Sequence, residues 1–222
     1  MRPDGIIFDF DGVLLESEWT SNRHLSQLLS DLGHPTSVDH ALTNFTGLSG
    51  LAFIDAIESH IGRALPDEFH ARRKEEDERA LREGLEAVAG AVDFVRSVPT
   101  ELPRAIASSS TTHWIRTHLQ HLGISDAFGE HVYSGHEHVA QGKPAPDIYL
   151  FAAERIGVPI QQCAIIEDSE VGATGAVTSG ARVIGLVAGR HCTDGHDERL
   201  RARGVTKIAY GFDDVVRMLA LS

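Results

Sequence analysis

Two aspartates, Asp9 and Asp11, end the apolar run Ile6-Ile7-Phe8 close to the amino terminus. Such a run reads as a buried parallel strand delivering charge to its carboxyl end, where open α/β sheets place their ligand sites. Strand period sets Asp9 and Asp11 on one side and Phe10 on the other. Gly12 gives the backbone freedom for a sharp exit. Two crowded carboxylates repel unless a cation or a shared proton relieves them, and a hard divalent ion such as Mg2+ is the simplest relief. Asp-x-Asp-Gly alone also fits an Asx turn closing a strand, so residues further on must decide.

Those residues sit at comparable places. The apolar stretch Arg104-Ala105-Ile106-Ala107 runs into Ser108-Ser109-Ser110, and Cys163-Ala164-Ile165-Ile166 runs into Glu167-Asp168-Ser169. Lys143 lies in a loop stiffened by Pro144 and Pro146. If these ends are neighbours, one sheet edge presents carboxylates for a cation, a hydroxyl and a fixed positive charge. That set suits a phosphoryl group, whose oxygens a metal and a lysine neutralise while a carboxylate attacks phosphorus. Asp9 is the candidate nucleophile. Asp11, just beyond, is placed to protonate the leaving oxygen and then activate water. Ser108, with backbone N–H groups near Ser109, donates to phosphate oxygens, and Lys143 acts as a point charge. Glu167 and Asp168 complete the metal site. Each piece has a bland counterpart, such as a helix cap or a surface lysine. Four of them in one order, each at a strand end or a stiffened loop, argue against coincidence.

The elements that must position these groups follow from periodicity. Ser17 opens a helix carrying Trp19, Leu25, Leu28, Leu29 and Leu32, and Gly33 stops it. Three more helices follow, through Ala41, Leu42 and Phe45, through Phe53, Ile54, Ile57 and Ile61, and from Pro66 to about Gly84. The charge run Arg72 to Arg79 reads as a solvated helix face with i,i+4 pairs. From Ala87 onward strands alternate with helices, which implies a parallel sheet covered on both faces. The expectation is an α/β sheet domain from residues 1–14 and 87–222, with a helical insertion at 15–86. Trp114 shares an apolar stripe with Ile115 and Leu119 and reads as core. The pairs His136 and His138, and His191 with Cys192 and His196, match no spacing that fixes transition-metal geometry, and they fall in polar, loop-like stretches. No zinc site is expected from them.

Bulk properties narrow the class. With 222 residues, 42% of them hydrophobic, the chain can bury a sizeable core. A formal net charge of -12 disfavours nucleic acid and anionic membrane as main partners. It does not disfavour a small anionic substrate, because a metal and one lysine dominate a small site. No run approaches the length of a membrane span. The chain enters its first strand with no leader-like segment, and its two cysteines lack a paired motif, so a reducing cytoplasm is expected. The oligomeric state is open, with a monomer favoured.

Taken together, Asp9-Phe10-Asp11-Gly12-Val13-Leu14-Leu15-Glu16-Ser17-Glu18, Ala107-Ser108-Ser109-Ser110, Gly142-Lys143-Pro144-Ala145-Pro146-Asp147 and Ile165-Ile166-Glu167-Asp168-Ser169 with Gly172 resemble the haloacid dehalogenase superfamily. The resemblance is to the branch that includes β-phosphoglucomutase and small sugar-phosphate phosphatases. It implies a Rossmann-like core with a helical cap inserted after the first strand, and an aspartyl-phosphate intermediate. It further implies one Mg2+ held by Asp9, the backbone carbonyl of Asp11, and the Glu167-Asp168 pair. The cap would close over the core, and its loop around Thr46, Gly47 and Ser49 would touch the substrate. Ser21, Asn22 and Gly50 are further candidates for specificity. Asp11 favours phosphoryl transfer over dehalogenation, since displacing halide needs no acid. Mutases of this branch carry an Arg after the cap-loop Ser and a His early in the first cap helix, places held here by Gly50 and Ser21. Without that phosphate clamp, hydrolysis of a small phosphorylated metabolite, a sugar or sugar-acid phosphate, is the expected reaction. A phosphosugar mutase is the alternative. A catalytically idle binding protein is a third reading, disfavoured by the intact set Asp9, Asp11, Ser108, Lys143 and Asp168.

Overall fold

The computed structural model describes residues 2–48 and 50–221. Ser49, named above as a substrate-loop residue, lies outside the described residues. The chain begins with strand β1 (Gly5–Phe8), then four helices in succession: α1 (Ser17–Asp31), α2 (Val38–Phe45), α3 (Gly50–Ile61) and α4 (Asp67–Glu83). After α5 (Ala91–Ser97) the alternation starts, with β2 (Arg104–Ser108), α6 (Thr112–Leu122), β3 (Val132–Ser134), α7 (Asp147–Arg155), β4 (Cys163–Glu167) and α8 (Glu170–Thr178). It ends with β5 (Arg182–Leu186), α9 (His196–Ala202), β6 (Lys207–Ala209) and α10 (Phe212–Leu219). The fold is α/β, with a six-stranded sheet in the order β3-β2-β1-β4-β5-β6 and every pairing parallel.

Alternation along β1 explains why the sheet is covered twice. Ile6 and Phe8 face one core with Phe94, Phe128 and Phe212, whereas Ile7 faces the other with Ala105, Tyr149 and Ile165. The central strand is therefore apolar at every position and completely buried. Its partners β2 and β4 are buried throughout as well, and all three deliver their carboxyl ends to one edge.

Helices α1–α4 have a core of their own, built from Leu25, Leu28, Leu29, Phe45, Ile57 and Phe69. Two chain crossings join them to the sheet. Leu15 and Ala87 form an antiparallel bridge, and the Glu16 N–H donates to the Glu86 carbonyl at 2.9 Å. Glu16 is buried, and both its carboxylate oxygens accept from the Arg190 N–H at 3.1 and 3.2 Å.

Three local expectations need correcting. His196, expected in a loop-like stretch, begins helix α9, whose sequence His-Asp-Glu-Arg-Leu-Arg-Ala buries only His196 and Leu200 and so has no apolar period to detect. The charged helix α4 is not solvated throughout. Glu76 is buried against Arg79 at 2.7 Å and His24 at 3.0 Å, beside buried Phe69 and Ala80. Regular strand geometry in β1 stops at Phe8, although the Asp9 N–H still donates to the Ile166 carbonyl at 2.9 Å.

Candidate active site

The carboxyl ends of β1, β2 and β4 gather most of the residues singled out above. Asp9, held in the ladder by its N–H, carries its carboxylate into a pocket where it is only 6% exposed. The ammonium of Lys143 donates to Asp9 Oδ1 at 2.7 Å and to Glu167 Oε1 at 3.3 Å, and lies over the Tyr149 ring. Lys143 reaches this position from the loop before α7, 134 residues away from Asp9 in sequence.

Glu167 is completely buried, and three groups fix its orientation. Its own neighbour's N–H, from Asp168, donates to Oε2 at 2.8 Å, while the Ser169 hydroxyl and the Tyr149 phenol donate to Oε1 at 2.9 and 3.4 Å. Gly172 makes room for it: a Cβ there would lie 1.2 Å from Glu167 Oε1. Gly12 makes comparable room for Asp168. It adopts φ +76°, and a Cβ on it would lie 1.9 Å from Asp168 Oδ2.

Asp168 has two unlike oxygens. Oδ2 pairs with His191 Nε2 at 2.8 Å, whereas Oδ1 is buried with no hydrogen-bond partner. Carboxylate oxygens of Asp9, Glu167 and Asp168 lie within 4.8 Å of one another. Burial pushes Asp9 well above the ordinary carboxylate range, and the Glu167 charge adds to this; the Lys143 ammonium opposes both. Glu167 is raised by burial too. Two buried carboxylates pushed towards protonation, beside the orphaned Asp168 oxygen, are what a hard divalent cation relieves, so the residues present fit Mg2+.

Asp11 stands apart from that cluster. Its Oδ1 accepts from the Ser17 hydroxyl at 2.7 Å and the Trp114 indole N–H at 3.1 Å. Its Oδ2 accepts from the Ser110 hydroxyl at 2.6 Å and, more weakly, from Ser108 at 3.4 Å. Ser108 is buried at the end of β2 and its oxygen also accepts the Ser110 N–H at 3.0 Å. Ser109 is exposed at the turn. Gly47 lies exposed in the turn after α2 at φ +79°, and among the described residues no hydrogen bond joins it to the strand-end groups.

Several contributors escaped the sequence reading. Trp114, read as core, does pack half-buried against the sheet's core, and it also turns its N–H to Asp11. Below it His118 is fully buried with neither ring nitrogen bonded, packed edge-on to the Trp114 ring at 4.3 Å. Burial pulls His118 down to about 4, so it is neutral. Glu18, in the first turn of α1, is pushed up to about 7 by burial and then by the charges of Asp11, Asp168 and Asp9. Ser110 and Glu18 lie inside the motif stretches without a role of their own, and Ser17, expected only to open α1, gives its hydroxyl to Asp11. For His191 no periodic or motif signal existed, because its partner Asp168 comes from another strand end.

Known proteins share this family and fold. A family model described as haloacid dehalogenase-like hydrolase matches residues 3–180. The chain is 30% identical over 179 residues to the fructose-1-phosphate phosphatase YqaB of Escherichia coli strain K12, covering 81% of this chain and 94% of that protein. It is 30% identical over 191 residues to a phosphorylated carbohydrates phosphatase of Thermotoga maritima, covering 83% and 85% of the two chains. A solved HAD family hydrolase from Deinococcus radiodurans R1, with bound phosphate and sodium, matches with a TM-score of 0.86 at 27% identity, over 99% of this chain and 96% of that one.

Proposed function

We propose that this chain, which belongs to the haloacid dehalogenase-like hydrolases, is a Mg2+-dependent phosphatase that releases phosphate from a small phosphorylated sugar or sugar acid. It is a hydrolase of phosphoric monoesters, as its relatives are. The finer reading is carried by one observation. Asp9 shares the Lys143 ammonium with Glu167 and clusters with Glu167 and Asp168, one of whose oxygens is left over.

Mg2+, when bound, would be held by Asp9, Glu167 and Asp168 with the backbone carbonyl of Asp11, and would neutralise charge on the phosphoryl oxygens. The remaining chemistry belongs to the chain. Asp9 attacks phosphorus as the bond to the leaving oxygen breaks, and an aspartyl phosphate forms. Asp11 gives that oxygen a proton, then takes one from the water that cleaves the aspartyl phosphate. To do so it exchanges one of its donors, Ser17, Ser110 or Trp114, for the reacting oxygen. Ser108 and Lys143 hold the phosphoryl oxygens. Helices α1–α4 act as a cap on residues 15–86 that closes by bending at the Leu15–Ala87 crossing. Gly47, in the turn after α2, is its substrate-side residue.

Hydrolysis is favoured over the mutase reaction because Gly50 stands where the mutases' phosphate-clamping Arg is expected, and Ser21 where their cap His is expected. A cytoplasmic location is supported by two free thiols, Cys163 and Cys192. No helix among the described residues is long and apolar enough to cross a membrane.

The test is phosphate release from a panel of phosphorylated sugars, sugar acids and polyols, with Mg2+ or chelator. Wild type should release phosphate from one compound class only with the metal, and Asp9→Asn should lose at least about a thousandfold in rate. Wild-type rates in Asp9→Asn would end the nucleophile assignment. Isomerised product that depends on a bisphosphate primer would replace hydrolysis by the mutase reaction.

A further inference from the structure

Beside the carboxylate cluster lies a second group of ligand-type side chains. His191 and Cys192 come from the loop after β5, and His196 begins α9. One donor atom of each lies within 4.8 Å of the others. His191 and His196 are buried, and Cys192 is half-buried. Sequence spacing did not suggest this convergence, which depends on α9 turning back towards β4.

The geometry within the group is that of a soft-metal site. The Cys192 Sγ to His191 Nε2 distance is 3.5 Å. Tetrahedral Zn–S and Zn–N bonds impose a separation of about 3.6 Å between such atoms. His196 is oriented as metal-bound histidines are. Its Nε2 lies 2.6 Å from the Asp168 carbonyl, which can only accept, so Nε2 carries the proton and Nδ1 keeps its lone pair. Arg199 donates to that nitrogen at 3.2 Å, and is also bonded to Thr193 and Asp194, where it can remain when Nδ1 is taken. No pair of donor atoms is more than 4.8 Å apart, so the widest has to close by at most about 1.5 Å to reach tetrahedral spacing.

We propose that His191, Cys192 and His196 bind one thiophilic divalent cation of the Zn2+ class, with a water in the fourth position, and that its binding restrains the neighbouring site. The restraint comes from His191. Its Nε2 faces both Cys192 and Asp168 Oδ2, the latter at 2.8 Å. A cation that takes Nε2 displaces the Asp168 contact, and Asp168 then loses the partner that leaves its other oxygen turned to the cluster with Asp9 and Glu167. Binding releases the Cys192 proton to solvent and needs no redox partner. The restraint, though not the binding, rests on the phosphatase reading.

Binding is read without turnover. With excess Mg2+ present to fill the carboxylate cluster, Co2+ titration of the whole chain should give a saturable thiolate-to-cobalt band at one equivalent, displaced by Zn2+. Cys192→Ser should abolish the band, and His196→Gln should weaken affinity at least about tenfold. Zn2+ should also protect Cys192 from alkylation in wild type, where the other cysteine, Cys163, is fully buried. A missing band, or alkylation at the same rate with and without Zn2+, overturns the site. For the restraint, Zn2+ should slow phosphate release in wild type and need at least about tenfold higher concentration in Cys192→Ser. A filled site with unchanged hydrolysis overturns the coupling. If the chain hydrolyses no ester, the spectroscopic result still decides the binding site, while the restraint falls with the phosphatase reading.

Discussion

His118 shows how a single residue can tie stability to pH beside the site. It is buried without a hydrogen-bond partner, under the ring of the tryptophan that bonds Asp11. Its protonated form would bury an unpaired charge, so the folded chain holds it neutral down to about 4. Unfolded, it gains a proton below about 6.5, the ordinary histidine value. The unfolded state therefore binds more protons between these values. Stability from this residue is complete above the unfolded value and is lost as pH falls towards the folded one. Urea unfolding at pH about 7 and about 5 should show His118→Leu losing less stability than wild type over that drop, by on the order of 1 kcal/mol. Equal losses in the two proteins would mean that His118 is protonated in the fold. The residue also marks a limit of pattern reading. Trp114 and His118 sit one turn apart on α6, and the apolar stripe that places Trp114 against the core gives no sign of its bond to Asp11. Trp114 faces a carboxylate delivered by β1, 103 residues earlier, which periodicity within α6 does not register.

At the scale of elements, β4 and α8 act as one unit. Ser169 caps α8 by accepting the Gly172 N–H at 3.0 Å, and its hydroxyl donates to Glu167 at 2.9 Å. The turn that starts the helix thus fixes the carboxylate that ends the strand. Gly172→Ala puts a methyl group where Glu167 Oε1 now lies, so the carboxylate has to leave Lys143 and Asp9. Phosphate release should fall at least about a hundredfold, with Mg2+ requirement raised, while circular dichroism keeps the helix content. An alanine variant with wild-type metal dependence would show that Glu167 needs no fixed place. The neighbouring Gly175→Ala is not an equivalent change, since a Cβ there meets the carbonyls of Pro144 and Ala145 in the lysine loop.

At the scale of the molecule, three strand ends and one loop converge on a point where buried carboxylates outnumber the ammonium that neutralises them. The fold holds that excess at its own cost, so a cation that relieves it should stabilise the whole chain. At a hundred times its dissociation constant, a ligand of the native state contributes about 2.7 kcal/mol. For a chain of this size that raises Tm by roughly 5–10 °C. Chelator-treated protein should show this rise when Mg2+ is restored, and Asp168→Asn should lose most of it. A Tm indifferent to Mg2+ would remove the cation from the carboxylate cluster.

Much of this was present in one dimension. Apolar runs that stop at Asp9, Ser108 and Glu167 determine both the parallel sheet and the edge where chemistry collects, because a buried strand can turn polar only where it leaves the core. Helical periods likewise determine α1–α4 as an amphipathic group able to bury its own stripe. What only tertiary structure decided are the pairings between ends far apart in sequence: Lys143 on Asp9, Trp114 and Ser110 on Asp11, His191 on Asp168, and the gathering of His191, Cys192 and His196. Local rules describe a residue's neighbours one turn or two positions away. The order of strands, which places β4 beside β1 and α9 beneath β4's end, is fixed by packing of whole elements, and only then do such groups acquire partners.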